Sequence, residues 1–197
     1  VTLNAKILSE GAFKWNASVN ITTQKNVVTA LDANNSDIIV ATSLEKTNII
    51  RVGESIGNFF IVQTGGVNPA NGRRIFYYGD GTAVQYDHSA PVASRWTKVI
   101  DGSVTRAANQ AVDAKVSGPA LPTYFGGLSN TFMYKGFDLS ASLYFSGGNY
   151  VYNGTKAGLH DMRVWNNSAD VMSRWQNPGD VSATPRIVFG DNISNGS

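Results

Sequence analysis

Two long segments of this chain alternate strictly between apolar and polar side chains. In residues 137–146 the apolar positions are Phe137, Leu139, Ala141, Leu143 and Phe145, and Asp, Ser or Tyr stands between them. In residues 13–23 they are Phe13, Trp15, Ala17, Val19 and Ile21, separated by Lys, Asn, Ser and Thr. A period of two predicts β-strands with one apolar and one polar face.

Each of these segments follows a second alternating segment after a short link. Residues 1–8 precede 13–23, and residues 125–134 precede 137–146 across the turn Lys135-Gly136. Two antiparallel hairpins are therefore expected. A strand of about 9 to 11 residues crosses a bilayer when tilted by about 45°, whereas strands of soluble domains are nearer 5 or 6 residues.

The predicted fold class is all-β, as part of a large antiparallel transmembrane β-barrel with four barrel strands in two hairpins. Four strands cannot close a barrel, because the smallest barrels have about eight, so we expect a piece of a longer barrel. Short turns face the periplasm in such barrels and long loops face outward. The alternative is a soluble β-sandwich carbohydrate-binding module, with the apolar faces meeting across a core about 10 Å thick.

The chain divides by pattern into four parts: a barrel hairpin in 1–24, an extracellular excursion in 25–123, a barrel hairpin in 124–147 and an outer loop in 148–197. The excursion is predicted to be a small β meander with a Pro69 turn at 67–72. Its predicted strands are 26–31, 38–42, 48–52, 58–63 and 75–78. Residues 107–116 suit a short helix or a surface loop equally. Short helical pieces are predicted at 159–165 and 168–175, with Ser168 as an N-cap.

Composition and motifs exclude several classes of function. Only 15% of residues are charged, the net charge is +2 and cysteine is absent, so neither a nucleic-acid surface nor a thiolate metal site is expected. Asp87-His88-Ser89 holds the residue types of a hydrolase triad, but adjacent residues cannot converge on one reacting atom. The loop at 32–37 favours a polar turn over calcium. No enzyme activity, catalytic residue, metal or cofactor is predicted.

Aromatic residues in the predicted outer loops are the candidate site residues. These residues are Trp96, Tyr150, Tyr152, Trp165 and Trp175. Their rings could stack on a ligand, pack against a partner protein or anchor the small cores of the loops themselves. Trp15, near the periplasmic end of its strand, fits the aromatic girdle of a membrane barrel.

Five segments together resemble the SusC/RagA family of TonB-dependent outer-membrane receptors. Residues 16–31 resemble a polar barrel strand of that family, and Val52-Gly-Glu-Ser-Ile-Gly-Asn-Phe59 is similar to its Val-Gly-x-Pro-Ile-Gly-x-Phe, with Ser55 in place of Pro. The segment beginning Gly66-Val-Asn-Pro-Ala-Asn-Gly72 resembles its Gly-Val-Asp-Pro-x-Thr-Gly turn. Residues 122–140 give the strongest match, and residues 174–186 resemble the Arg-Trp…Pro-Arg stretch that follows.

The resemblance implies a barrel that surrounds a plug and a SusD-like lipoprotein lid that captures nutrients. Import of a glycan or a peptide would be driven through TonB, which contacts the plug region. No plug can be placed on these residues, so the chain is expected to supply barrel wall against outer-membrane lipid, with two outer loops.

Overall fold

The computed structural model describes residues 1–41, 46–163 and 166–194, and these residues are mostly β-strand. The strands are β1 (Thr2–Leu8), β2 (Phe13–Thr23), β3 (Ile38–Ala41), β4 (Lys46–Ile50), β5 (Asn58–Val62), β6 (Thr64–Val67), β7 (Arg74–Tyr77), β8 (Ala83–Tyr86), β9 (Trp96–Lys98), β10 (Ala114–Gly118), β11 (Tyr124–Tyr134) and β12 (Phe137–Gly147). Two short helices are α1 (Gln110–Asp113) and α2 (Gly154–His160). The predicted all-β class is confirmed. Among the described helices, none has the length and apolarity to cross a membrane.

The strands form three four-stranded sheets, with the orders β1-β2-β11-β12, β10-β5-β4-β3 and β6-β7-β8-β9. We call the first of these the long sheet. Both predicted hairpins are present in it, and β2 pairs with β11 along its whole length, from Tyr124 opposite Thr23 to Tyr134 opposite Phe13. All three pairings are antiparallel, as a barrel wall requires.

One face of the long sheet is apolar. Directly opposite residues of antiparallel strands share a face, so cross-strand rows can be taken from the register; they are Leu8/Trp15/Phe132/Leu139, Ala5/Ala17/Asn130/Ala141 and Leu3/Val19/Leu128/Leu143. Phe137, Leu139 and Leu143 are 80%, 65% and 61% exposed. No described residue covers them, which disfavours the sandwich alternative, where this face would be a core.

The other face carries hydroxyl and amide groups that bond to one another across the strands. Ser129 Oγ lies 2.9 Å from Ser142 Oγ, and Thr131 Oγ1 lies 3.3 Å from Ser140 Oγ. Ser18 Oγ donates to Asn4 Oδ1 over 2.6 Å. These contacts satisfy polar groups in the middle of the face without charge.

The turns explain how the register is fixed. Lys135 and Gly136 have φ values of 46° and 86°, and positive φ at both central residues is the signature of a type I′ hairpin turn. In the other hairpin the register shifts between Lys6 and Leu8, so Leu8 rather than Ile7 stands opposite Trp15. Ile7 therefore has no residue directly opposite it on β2, as happens at a β-bulge, where one strand carries an extra residue.

The described chain forms two compact units. Unit 1 comprises residues 1–38, 49–58 and 118–151 and contains the long sheet. Unit 2 comprises residues 39–48, 59–117 and 152–197; its meander β6-β7-β8-β9 surrounds a small core of Phe76, Tyr78, Val84 and Tyr86. The four-part division drawn from the sequence stays a prediction.

Several local predictions differ from the structure. Residues 26–31 form no strand; instead Val28 exchanges two backbone hydrogen bonds with the turn at 53–54. Residues 107–116 contain both α1 and the start of β10. The predicted helix at 159–165 is shifted, since α2 begins at Gly154 and ends at His160, and Ser168 precedes a 3₁₀ turn at Ala169–Ser173 without capping its backbone.

Candidate functional site

The long sheet has the dimensions of a membrane-crossing element. Strands β2, β11 and β12 each have 11 residues. At about 3.3 Å per residue they extend roughly 36 Å, or about 28 Å along a membrane normal at a tilt of about 40°. The apolar band of outer-membrane barrels is about 25 Å tall, so the sheet is long enough to cross it.

Aromatic rings gather on the apolar face near the short turns. The Phe132 ring stacks on Trp15 with centroids 5.7 Å apart and on Phe13 at 6.2 Å. Trp15 Nε1 donates to Asn130 Oδ1 over 3.1 Å, so the one amide of these rows has a partner on its own face. The cluster has the make-up of an aromatic girdle, where rings present an apolar body and a polar tip.

At the opposite end of the sheet two aromatic rings lie beside strand glycines. Phe145 lies against Gly126 on the apolar face, since a β-carbon on that glycine would stand 2.7 Å from Phe145 Cζ. Tyr144 lies beside Gly127 on the polar face, with Cδ1 3.5 Å from the corresponding position. Phe125 also belongs to the polar face, because it pairs with Thr22 and Ser146. Phe125 and Tyr144 were not among the candidate residues, although Phe125 is a visible break in the alternation.

In unit 2 the 174–186 segment packs against the Pro69 turn. Trp175 Nε1 donates to Pro69 O over 2.8 Å, and the backbone N–H groups of Gly179 and Arg186 donate to Pro69 O and Gly72 O, each over 2.9 Å. A β-carbon on Gly72 would stand 2.3 Å from Trp175 Cε3, and its φ is +71°. Glycine is therefore required both by the backbone and by the indole.

The same two segments are joined by a carboxylate. Asp87 Oδ2 accepts from Arg73 over 2.5 Å, and Asp87 Oδ1 accepts from Arg186 over 2.6 Å and from Ser89 N over 3.0 Å. His88 Nδ1 lies 3.2 Å from the Tyr86 hydroxyl. Asp87 is thus engaged by two guanidinium groups rather than by His88, which agrees with the prediction that these residues are not a hydrolase triad.

A second buried carboxylate holds α1. Asp113 is 1% exposed and accepts two 2.6 Å hydrogen bonds from Arg106, with further ones from the N–H groups of Asn109 and Gly79. The Arg106 guanidinium, helped by these N–H groups, holds the pKa of Asp113 well below its usual range. Arg106 also lies over the Tyr78 ring, 3.9 Å from its centroid. This cluster is structural, because every oxygen of the carboxylate is occupied.

The predicted aromatic site residues fall in different surroundings. Trp96 is half-buried in unit 2, with ring centroids 5.4 Å from Phe76 and 5.1 Å from Tyr86. Trp175 is half-buried on the Pro69 turn. Tyr150 is exposed in unit 1 beside Gly118, and Tyr152 is exposed before α2. Trp165 lies outside the described residues. The four described residues have different neighbours, and their role stays a prediction.

Unit 2 also has an open cleft of about 350 Å³ between α2 and the 183–184 segment. Arg74, Lys156 and His160 line it, and His160 Nε2 lies 2.8 Å from Asp170 Oδ2. In the described part of the chain no group of three His, Cys, Asp or Glu could hold a metal. At the predicted polar turn, Asp32 Oδ1 accepts from Asn34 N and Ser36 N.

The amino-acid sequence was compared with protein-family models and with curated proteins. No protein-family model matches the chain. It is similar to TonB-dependent receptor P3 of Formosa agariphila, with 24% identity over 191 residues, which cover 94% of this chain and 18% of that protein. The predicted resemblance to TonB-dependent receptors is confirmed. The relative is named as a receptor, which agrees with the prediction that this chain is not an enzyme.

Solved structures with the same fold are those of the RagAB system. The RagAB peptide transporter matches with a TM-score of 0.70 and 16% identity, over 94% of this chain and 19% of that one. The RagAB peptide importer matches with 0.70 in its open-open state and 0.66 in its closed-closed state, again at 16% identity. The chain therefore spans less than a fifth of the length of the proteins it matches.

Proposed function

We propose that this chain is a segment of the barrel wall, with two outer loops, of an outer-membrane TonB-dependent importer of oligosaccharides or peptides. The observation that carries the proposal is the two-faced long sheet, with exposed apolar rows on one side and mutually bonded hydroxyl groups on the other. In this role Leu139 and Leu143 contact acyl chains, and Ser140 and Ser142 face a water-filled lumen. The likeness to a TonB-dependent receptor supports it.

The proposed partners follow from the same family. The chain would work with a SusD-like surface lipoprotein, and the TonB complex would act through a plug carried elsewhere in the parent protein. The exposed Tyr150 and Tyr152 are the strongest candidates for contact with ligand or lipoprotein. Trp96 and Trp175 are half-buried, which favours a supporting role within their loops, and Trp165 stays a candidate. Because the RagAB structures are those of a peptide transporter, peptide cargo stays open for this chain as well.

Site-directed spin labelling of the full-length receptor in lipid vesicles tests the wall. These 197 residues contain no cysteine, so in a full-length receptor from which any other cysteine has been removed, each residue of 138–145 can be replaced in turn by cysteine and labelled. The collision rate of the spin label with dissolved oxygen should be highest at positions 139, 141, 143 and 145. Its collision rate with a water-soluble nickel complex should be highest at positions 138, 140, 142 and 144. Loss of this period of two, or apolar positions shielded from both reagents, would refute a lipid-facing wall.

Photocrosslinking tests the lipoprotein contact. Replacing Tyr150 by benzoylphenylalanine in the full-length receptor should yield an ultraviolet-dependent adduct with the co-expressed lipoprotein. The same replacement at Phe137, beside the short turn at the other end of the sheet, is the matched control and should give none. Equal adducts at both positions, or none at Tyr150, would contradict the assignment of Tyr150 to the lid.

A further inference from the structure

The outer end of the polar face differs from its middle. In the middle rows, Ser, Thr and Asn side chains bond to each other across strands, as described above. In the two rows beyond them, no hydrogen bond between described residues involves the side chains of Asn20, Thr22 and Ser146, which stand beside Phe125 and Tyr144. Donors and acceptors are therefore available there.

Two aromatic side chains project from this otherwise polar area. Tyr144 is 84% exposed and Phe125 is 40% exposed. Phe125 pairs directly with Ser146, two residues from Tyr144, so the two residues are diagonal neighbours on adjacent strands, about 7 to 8 Å apart and within reach of aromatic side chains. Tyr144 lies beside Gly127, where no side chain separates it from the Asn20 amide, whose Nδ2 lies 3.3 Å from the β-carbon position.

Charged side chains are absent from this area and are concentrated toward the other end. The charged side chains of the polar face are Lys14 and Asp138, both opposite Met133 beside the short turns, and Lys6, which stands one row further along in the row of Thr131 and Ser140. Between them and the outer end lie only uncharged side chains. A ligand bound at the outer end would thus be recognised through ring stacking and neutral hydrogen bonds.

We propose that Tyr144, Phe125 and Asn20 form a subsite for one uncharged sugar ring of an oligosaccharide. A sugar ring offers an apolar C–H face for an aromatic ring and hydroxyl groups for amides and hydroxyls, and the area supplies both. A charged peptide finds no ion-pair partner among the side chains of this area. The inference rests on the proposed function, since it needs this face to line the lumen, and it deepens that proposal by naming a cargo class.

Calorimetric titration of the full-length receptor tests the subsite. The ligands to be titrated are cellohexaose and maltoheptaose. An uncharged octapeptide is titrated for comparison, to represent peptide cargo. Tyr144→Ala should weaken binding of at least one oligosaccharide by roughly three- to tenfold, and Phe125→Leu by a smaller factor. Tyr144→Phe and Tyr144→Trp should retain most affinity, because they keep the ring. Leu143→Ala, the next residue on the opposite face, is the matched control and should bind like the unchanged receptor.

The outcomes separate this inference from the proposal beneath it. If a spin label at position 144 collides with the nickel complex but Tyr144→Ala binds both oligosaccharides unchanged, the subsite is refuted while the wall stands. If the label at position 144 does not collide with the water-soluble nickel complex, the barrel-wall proposal itself is refuted, and the subsite with it. Absence of binding by either oligosaccharide, or equal dependence of octapeptide binding on Tyr144, also overturns the sugar subsite. The melting temperature of Tyr144→Ala, compared with that of the unchanged receptor, shows whether Tyr144 instead stabilises the sheet by covering Gly127.

Discussion

Asp87→Asn should release the 174–186 segment from the Pro69 turn. The carboxylate is largely buried between Arg73 and Arg186, whose side chains are about a quarter to a third exposed. Asparagine keeps the shape and one acceptor for Ser89 N, but its amide turns a donor toward one guanidinium and removes the charge that both require.

The magnitude follows from the two charged hydrogen bonds. Each is worth about 1.5 to 3 kcal/mol when buried, and partial exposure of both arginines reduces this by screening. We expect the opening free energy of this segment to fall by about 2 to 4 kcal/mol. Because about 1.4 kcal/mol corresponds to a tenfold change in the opening equilibrium constant, the rate of amide exchange through local opening should rise roughly 30- to 1000-fold.

Hydrogen–deuterium exchange of the full-length receptor in detergent measures this directly. The reporters are the amides of Trp175, Gly179 and Arg186, which donate to Thr184 O, Pro69 O and Gly72 O. Asp101→Asn is the control, because Asp101 is an exposed carboxylate of unit 2 whose hydrogen bonds with described residues go to Ser103 in its own turn. Unchanged exchange at the three reporters in Asp87→Asn would refute the view that this ion pair holds the segment.

Three further predictions test other contacts. Gly72→Ala should displace the Trp175 indole and strain a φ of +71°, seen as faster exchange at residues 175–184 than in Gly81→Ala, where φ is also positive but the β-carbon meets nothing. Since the pKa of Asp113 is lowered on folding, its contribution is present above about pH 4 and lost as pH falls further; protection factors of 106–113 should decline there, and Asp113→Asn should abolish that decline. Trp15→Phe should lower the melting temperature by leaving the Asn130 amide unpaired in the apolar band, and adding Asn130→Leu should restore it; additive effects would refute this coupling.

The long strands could be predicted because their signal is local and repeated. Eleven residues give five full alternations, enough to fix both the strand and its faces. The bulge before Leu8 carries no such signal, since it depends on the partner strand. Strands β6, β8 and β9 have four, four and three residues, which are too few to show a period, so the pattern does not predict them. Residues 26–31 are apolar enough for a strand, yet they find only two backbone partners at Val28.

The clusters of unit 2 could not be predicted, because their members are far apart in the chain. Asp87 and Arg186 are separated by 99 residues and Trp175 and Pro69 by 106, so no spacing rule connects them. The charge of Asp87 could suggest an ion pair but not its partners. The short Gln110–Asp113 helix is likewise set by the bonds of Asp113 to Arg106 and Gly79 rather than by helix periodicity.

The motifs that carry the resemblance and the residues that would select a cargo are different parts of this molecule. Gly72, Arg73, Trp175 and Arg186 lie within resembling segments, and there the Trp175 indole donates to Pro69 O while both guanidinium groups donate to Asp87. Similarity at such positions therefore reflects contacts that hold unit 2 together. Under the proposed function, a cargo would instead be recognised by groups whose bonding capacity is not used inside the fold. On the long sheet such groups lie at the end of the polar face away from the short turns, where Tyr144 is 84% exposed and the Asn20 side chain makes no hydrogen bond to a described residue.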